Sequence, residues 1–494
     1  MMEVKLLQKE KTFWILSERI RKRIQVSAEL VIPDTMEDVK SIVWTRGCLL
    51  LKGKEPEIHA FSAAGEALAN ILLLTDKDEL ELLNLRKSFE SSFEVREIDP
   101  DALPQLSWYI QSIQSRLLNP RKLSVSFEIC ADLRCFQRKS SIVETALPED
   151  VSYGLHILQN QTETLQLDNI KEKPFTLREQ LPISSEDGFP HDPELEEIVF
   201  RLHGTEQIGS RCIVKGECGV TFCGLADNGL PSDLRFRIPF SQLVDIGEEK
   251  MDSCTVRIEP NSVYAEWSRE AASTPEVDLE IHAVIQMSVY SRQTILSVSD
   301  AYSTQMPLTA ETAKYAVISS LERSRSSVQA EERLEAPEDM QDLLSVQGKL
   351  GLLEQNENEM LLPVVLEMLY RKEDGSYGAA RRMIRCRTEN LPKEALLMDQ
   401  RLNTLEASTE KDCVMLSVDA EMQWDQETEK ELTTITSLHL QEDHAWARSS
   451  LPDLSIVRRG GESLWELAKE YHTSAERIAS ANEPDAEMLL IPAE

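Results

Sequence analysis

The sequence lacks long apolar runs. No stretch approaches the roughly 18 consecutive apolar residues of a membrane-spanning helix. At the amino end, charged residues from Glu3 to Lys11 interrupt the apolar core that a secretory signal requires. We therefore expect no direct membrane insertion, no export signal and a cytoplasmic location.

Paired cysteine motifs are also missing. The nine cysteines, an odd number, are scattered from Cys48 to Cys413, and no Cys-x-x-Cys occurs. Cys130 and Cys135 are separated by four residues and have no histidine nearby, whereas zinc sites usually show tighter pairs. These features predict reduced, mostly buried cysteines and no metal site.

Recognisable catalytic motifs are missing as well. There is no Gly-x-x-x-x-Gly-Lys-Ser/Thr loop for a nucleotide, and no histidine stands in a motif with a nucleophile. Neighbouring carboxylates such as Glu196 and Glu197 are expected in so acidic a chain, and we interpret them as a solvated face. The sequence predicts a protein that is not an enzyme and has no cofactor. A hydrolase with an unrecognised site is the last-ranked alternative.

Negative charge dominates the composition that is present. Asp and Glu number 86 against 53 Lys and Arg, a formal net charge of −33. Such a field repels phosphate backbones, so we expect no nucleic-acid partner. The apolar fraction of 41% is sufficient for buried cores, and 494 residues suggest three or four domains.

A pattern of segments recurs three times along the chain. Each copy has an acidic, proline-containing opening that we interpret as loosely helical, then a strand, a polar turn and a return strand. In the middle copy these are Asp192–Ile198, Arg211–Cys223, Asp227–Gly229 and Leu234–Phe240. Its β-branched residues, its Asn-Gly turn and its alternating return strand are typical of a β-hairpin.

The other two copies keep the same order of segments. The third has Pro337–Leu344, Leu361–Tyr370 and Glu373–Ser376, and the first has Pro33–Val39, Ala69–Leu74 and Thr75–Asp78. We interpret Arg323–Arg333 as a helix-to-linker stretch and Glu442–Ser450 as a tether. The predicted fold is mainly β, with antiparallel β-rich domains at 1–137, 138–305 and 306–441, a linker at 442–453 and a small βααβ domain at 454–494.

The last segment carries the most specific pattern. Ser455–Arg458 and Leu489–Pro492 are predicted strands that flank two short helices. Ser463–Glu466 and Thr473–Glu476 both have capping-box spacing. One apolar helix face is formed by Leu464, Leu467, Ala468 and Tyr471.

This C-terminal module resembles the LysM family. The residues on the family's pattern are Gly461, Glu462, Ser463, Leu464, Trp465, Ala468, Tyr471, Ile478, Asn482, Leu489, Ile491 and Pro492. The resemblance implies a groove for a partner protein or an N-acetylglucosamine chain, with candidate residues Gly460, Gly461, Glu462, Ser463, Trp465, Arg477, Ile478 and Asn482. Trp465 and Tyr471 are also expected in the module's core, since so small a module has little apolar surface to bury.

Two departures from the LysM pattern bear on the ligand. Glu462 and Ser463 stand where the family usually has Asp and Thr, and the segment 483–488 lacks the usual glycine-containing turn. Both lie near the sugar-holding groove of family members. They favour a protein ligand over a glycan.

The whole chain resembles the spore coat morphogenetic proteins of the SipL type, which carry SPOCS domains before a LysM domain. Besides the module, the resemblance rests on Ile32–Asp34, Asn119–Leu123, Lys173–Phe175, Val214–Glu217 and Ile238–Phe240. It implies a non-catalytic scaffold in the mother-cell cytoplasm at the forespore surface. Its LysM domain would dock a coat morphogenetic ATPase, and its β domains would recruit other coat proteins. The alternative is a peptidoglycan-binding protein.

Overall fold

A computed structural model describes residues 2–57, 59–95, 102–146, 154–183, 189–248, 250–268, 275–351, 353–355, 359–388, 396–441, 453–484 and 486–493. The fold is mainly β, as predicted, and the two helices of the described residues are both short. None of the described helices has the length and apolar character needed to cross a membrane. All nine cysteines are free and six of them are buried.

The first group of strands combines a small sheet with a long one. After β1 (Met2–Lys5), its strands are β2 (Leu7–Val31), β3 (Val39–Arg46), β4 (Leu49–Glu57), β5 (Ala60–Thr75), β6 (Leu80–Glu94), β7 (Leu103–Asn119) and β8 (Lys122–Ala146). In the small sheet β5 pairs with β3, β4 and β6. In the long sheet β8 pairs with both β2 and β7. All of these pairs are antiparallel.

Two further groups follow the same order of pairing. The second has β9 (Leu155–Pro182), β10 (His191–Ile208), β11 (Arg211–Leu225), β12 (Pro231–Asp245), β13 (Ser253–Ser268) and β14 (Glu276–Ser303). The third has β15 (Leu308–Glu335), β16 (Met340–Leu350), β17 (Glu354–Gln355), β18 (Met360–Lys372), β19 (Tyr377–Thr388), β20 (Leu396–Glu410) and β21 (Cys413–Leu440). The small sheets centre on β11 and β18, and the long sheets on β14 and β21. We call β2–β8, β9–β14 and β15–β21 groups 1, 2 and 3.

In each group, alternate apolar side chains of the small sheet pack against those of the long sheet. In β12 the residues Leu234, Phe236, Ile238 and Phe240 are buried and the residues between them are more exposed, as the sequence predicts. They form one core with the long-sheet residues Leu279 and Ile285 of β14. The core of group 1 joins β5 to β8 in the same way, and that of group 3 joins β18 to β21.

The groups are also connected to one another. Trp14 of β2 pairs with Leu167 of β9, which links the long sheets of groups 1 and 2 into the order β13-β14-β9-β2-β8-β7. Strand β1 belongs to the long sheet of group 3, since Met2–Lys5 pairs with the last residues of β21.

Several predicted helical or linker segments are strands. Asp192–Ile198 lies in β10, and Arg323–Arg333 lies in β15, where it pairs along β21 and Val328 is buried. Within the third opening, residues from Met340 onward form β16. Pairing with another strand overrides the local polar composition, and in β15 the alternate residues from Arg323 to Arg333 are exposed.

The prediction that Glu196 lies on a solvated face is wrong. The register of β10 against β11 shifts between Leu195 and Glu197, so that Glu196 is the extra residue of a bulge. Leu195 and Glu196 are consecutive and both buried, whereas Glu197 is exposed. The bulge therefore turns a carboxylate inward.

The predicted domain boundaries fall at different places among the strands. The boundary between 305 and 306 falls in the turn between β14 and β15, but the one between 137 and 138 falls inside β8. Because β8 pairs with β2 up to Ala146, the end of group 1 moves to that residue. The tether predicted at Glu442–Ser450 lies outside the described residues, as does the 442–453 linker except for Asp453.

The C-terminal module has the predicted order of strand, helix, helix and strand. Its elements are β22 (Leu454–Arg458), α1 (Leu464–Glu470), α2 (Ala475–Ala481) and β23 (Met488–Pro492), and the two strands pair antiparallel. The predicted capping box at Ser463 and Glu466 is present. The second box is wrong: Ser474 caps α2 by accepting from the Arg477 amide, and Thr473 is fully buried instead.

Candidate functional site

The first helix of the module lies against the end of β14. The Trp465 indole Nε1 donates to Oδ2 of Asp300 at 2.8 Å, and Lys469 Nζ lies 2.7 and 2.8 Å from the two carboxylate oxygens. Asp300 stands at a register shift of β14 against β9, between Val298 and Asp300. Burial alone raises the pKa of Asp300, but the hydrogen bonds from Lys469 and Trp465 outweigh it and lower the pKa below its ordinary value.

Tyr302, two residues further along β14, is part of the module's core. Its ring meets the Trp465 ring edge-on, with centroids 4.8 Å apart, and its hydroxyl donates to the Thr473 carbonyl at 2.8 Å. It is buried together with Leu467, Ala468, Ile478, Leu489 and Ile491. The module is near the lower size limit for independent folding, and its core includes Tyr302 of group 2.

The first half of the predicted groove is the loop between β22 and α1. Gly460, Gly461 and Glu462 are exposed, and Ser463 follows them as the N-cap of α1. Gly461 has φ of 112°, a conformation that side-chain-bearing residues rarely adopt, so the turn requires glycine at this position. These four predicted residues are contiguous and lie on the surface.

The second half of the predicted groove has a structural role. Ile478 is fully buried in the module's core. The Asn482 side chain donates to the carbonyls of Ile478 and Leu490 and accepts from the Leu490 amide at 2.6 Å. Arg477 donates to the carbonyl of Ala493 at 3.0 Å. These side chains tie α2 to the final strand.

Arg459 connects the two loops that border the predicted groove. Its amide donates to the Glu487 carbonyl at 2.9 Å, and its guanidinium donates to the Pro484 carbonyl at 2.6 Å. The loop before α1 and the loop after α2 are therefore held together by direct hydrogen bonds. The sequence pattern did not nominate Arg459, because nothing local marks a side chain that reaches 25 residues along the chain.

The outer face of the β22–β23 sheet carries exposed apolar side chains. Leu454, Ile456, Met488 and Leu490 are 50%, 60%, 52% and 38% exposed. Ile456 pairs directly with Leu490, and Leu454 and Met488 lie two residues before them on their strands, so the four side chains share one face. We call these residues the outer stripe. Sequence reasoning missed it, although both strands are apolar at positions of either parity, which is the pattern of a strand covered on both faces.

Comparisons with protein-family models, with curated proteins and with solved structures found no match.

Proposed function

We propose that the chain is a non-catalytic assembly scaffold of the SipL type, in which three SPOCS-like domains precede a LysM-like module that docks a partner protein. The observation that carries the proposal is the outer stripe. Monomeric proteins rarely leave grouped apolar side chains in water unless a partner covers them. Leu489 and Ile491, on the other face of the same sheet, are buried with Tyr302, so the stripe is on the sheet face opposite to the module's core.

Two further observations support the scaffold interpretation. The same succession of long strand, small sheet and long hairpin occurs in groups 1, 2 and 3, which suits three copies of one domain. The hydrogen bonds of Arg459 draw together the two loops between which a sugar chain would lie, which favours a protein ligand. In this proposal the partner is a coat morphogenetic ATPase at the forespore surface in the mother-cell cytoplasm, and other coat proteins bind the β domains.

Co-purification with the ATPase tests the proposal. The double variant Ile456→Lys/Leu490→Lys places two charges on the outer stripe, and we expect it to lose the ATPase while retaining the melting temperature of the parent chain. Ile208→Lys, at a site 56% exposed in group 2, is the matched control and should still bind. Full ATPase binding by a chain lacking residues 455–494 would refute the docking role.

A fluorescent fusion tests the cellular side of the proposal. We expect a shell around the forespore that is lost when residues 455–494 are removed. A signal spread evenly through the cytoplasm of sporulating cells would contradict the proposed location.

Peptidoglycan binding is the second candidate function. It is favoured by the βααβ order and by the Gly461 turn, which leaves an exposed loop before α1. Co-sedimentation with purified peptidoglycan distinguishes the two. Saturable binding that Gly461→Val abolishes would support the glycan ligand, whereas the scaffold proposal expects no saturable binding.

A further inference from the structure

The three strand groups meet at a buried arginine. Arg46 of β3 lies in group 1, and its guanidinium is 3.7 Å from the carboxylate of Glu196 in group 2 and 3.2 Å from that of Glu367 in group 3. It also lies over the ring of Trp44, 4.1 Å from the centroid. Since Arg46 and Glu196 are almost completely buried, this junction is an ionic centre inside the protein.

Three potential metal ligands stand together on the group 2 side of this junction. They are Glu196 on β10, Cys223 on β11 and Asp233 on β12, and their ligand atoms all lie within 4.8 Å of one another. The three strands are neighbours in one small sheet, and Cys223 pairs directly with Asp233. The bulge at Glu196 is what brings its carboxylate to the same place.

Two oxygens of this cluster receive no hydrogen bond from outside it within the described part of the chain. Glu196 is 9% exposed, and its Oε2 is buried without a hydrogen bond, while the other oxygen faces Arg46. In Asp233, Oδ2 accepts from Arg235 and Gln347, both at 3.1 Å, and the buried Oδ1 has no donor outside the cluster, where the Cys223 thiol lies beside this carboxylate. A buried acceptor left unsatisfied carries the cost of its lost hydration, and this cost is larger when the acceptor is charged.

We propose that Glu196, Cys223 and Asp233 bind a zinc ion. Zn²⁺ accepts thiolate and carboxylate ligands together at about 2.0–2.3 Å, so donor atoms a few ångströms apart can close on it, and a water can complete a tetrahedron. Mg²⁺ and Ca²⁺ prefer sets made of oxygen alone, which a thiol at this position disfavours. Arg46 and Arg235 offset the negative charge of the two carboxylates and the thiolate.

The zinc ion would have a structural role, as a crosslink within the small sheet of group 2. It would join β10, β11 and β12 beside the place where Arg46 reaches groups 2 and 3. Binding releases the thiol proton of Cys223, because the ligand is the thiolate. A cation that binds the folded chain alone raises its stability in proportion to the logarithm of its concentration.

Cobalt substitution tests the proposal on the full chain after treatment with a chelator. Co²⁺ should give the near-ultraviolet absorption of a cobalt–thiolate bond with a stoichiometry near one, and Zn²⁺ should displace it. Cys223→Ser should lose this absorption. Cys218→Ser is the matched control, because Cys218 is equally buried on the same strand but points into the group 2 core, and it should keep the absorption.

Glu196→Gln provides a second test that does not depend on the folding of Cys223→Ser. It should keep the cobalt–thiolate absorption but bind Co²⁺ at least tenfold more weakly. Zinc should also raise the melting temperature of the parent chain and leave that of Cys223→Ser unchanged. Absence of the absorption in the parent chain, or its persistence in Cys223→Ser, would overturn the zinc site.

Discussion

The indole nitrogen of Trp465 and the carboxylate of Asp300 are joined by a hydrogen bond of 2.8 Å across 165 residues of sequence. The tryptophan lies in the module and the aspartate in β14, so this bond and the adjacent Lys469 contact fix the module to group 2. A substitution of Trp465 therefore changes the module's attachment as well as its core. A Trp465 variant can therefore lose partner binding through detachment of the module as well as through a lost contact with the partner.

Asp300→Ala should loosen the module without unfolding the strand groups. The change removes the acceptor of Trp465 and Lys469, and because Asp300 is about one-third exposed we expect a loss of about 1–2 kcal/mol in docking. Hydrogen exchange of α1 amides should become roughly tenfold faster. Asp278→Ala, at an exposed carboxylate on the same strand, should leave α1 exchange unchanged. Equal exchange in both variants would contradict the anchoring role.

Truncation of Ile478 should destabilise the module, whereas truncation of Ile456 should leave its stability almost unchanged. Ile478→Ala creates a cavity in the module's core and should destabilise the module by about 2–5 kcal/mol. Ile456→Ala removes an exposed side chain of the outer stripe and should change stability by no more than about 0.5 kcal/mol. Hydrogen exchange of α1 and α2 measures both. A large destabilisation by Ile456→Ala would mean that the stripe is covered within the chain.

Arg46→Met should be strongly destabilising. It removes the guanidinium that lies within 4 Å of the carboxylates of Glu196 and Glu367, and breaking a buried pair in this way costs about 3–5 kcal/mol. Thermal unfolding monitored by circular dichroism, in the presence of a chelator, measures the loss. Adding Glu367→Gln should recover part of it. Arg86→Met removes a more exposed pair with Glu194 and should cost less than about 1 kcal/mol.

Glu259 should make the protein less stable as the pH rises toward 8. Burial raises its pKa from 4.5 to about 8, although the nearby charges of Arg257 and Lys54 oppose the shift. The folded chain thus holds this proton more tightly than the unfolded chain. The resulting stabilisation is complete below about pH 4.5 and is lost as the pH passes through about 8.

Melting temperatures between pH 5 and pH 8.5 test this effect of Glu259. Glu259→Gln should flatten the decline, because the amide does not titrate. Glu266→Gln, at an exposed position on the same strand, should follow the parent curve. A parent-like decline in Glu259→Gln would assign the pH dependence to other groups.

Local patterns predicted the mainly β class, the return strand β12, and the order and first cap of the C-terminal module. These features depend on residues a few positions apart, for example Ser463 and Glu466. The polar strand β15 was missed because its partner β21 lies about a hundred residues away. The bulge at Glu196 was missed for the same kind of reason, since a shift of register has no signature within the bulged strand.

In the candidate site too, local patterns predicted some residues, whereas others depend on contacts with distant parts of the chain. The residues of the exposed loop, Gly460 to Ser463, could be placed from turn and capping chemistry alone. The role of Tyr302 could not, because the hydrogen bond from its hydroxyl to Thr473 spans 171 residues. Nor could the exposure of Ile456 be foreseen, since an apolar residue in a strand is normally assigned to the core.

The pairing of Met2–Lys5 with the end of β21 has a consequence for how the chain is made. Strand β1 leaves the ribosome long before its partner residues, Ser437–Leu440, have been synthesised. At typical rates of about 5–20 residues per second, β1 waits for tens of seconds as an unpaired segment while the intervening chain is translated. Groups 1 and 2 can complete their own sheets during that time, but β1 cannot join group 3 until Ser437–Leu440 have been synthesised.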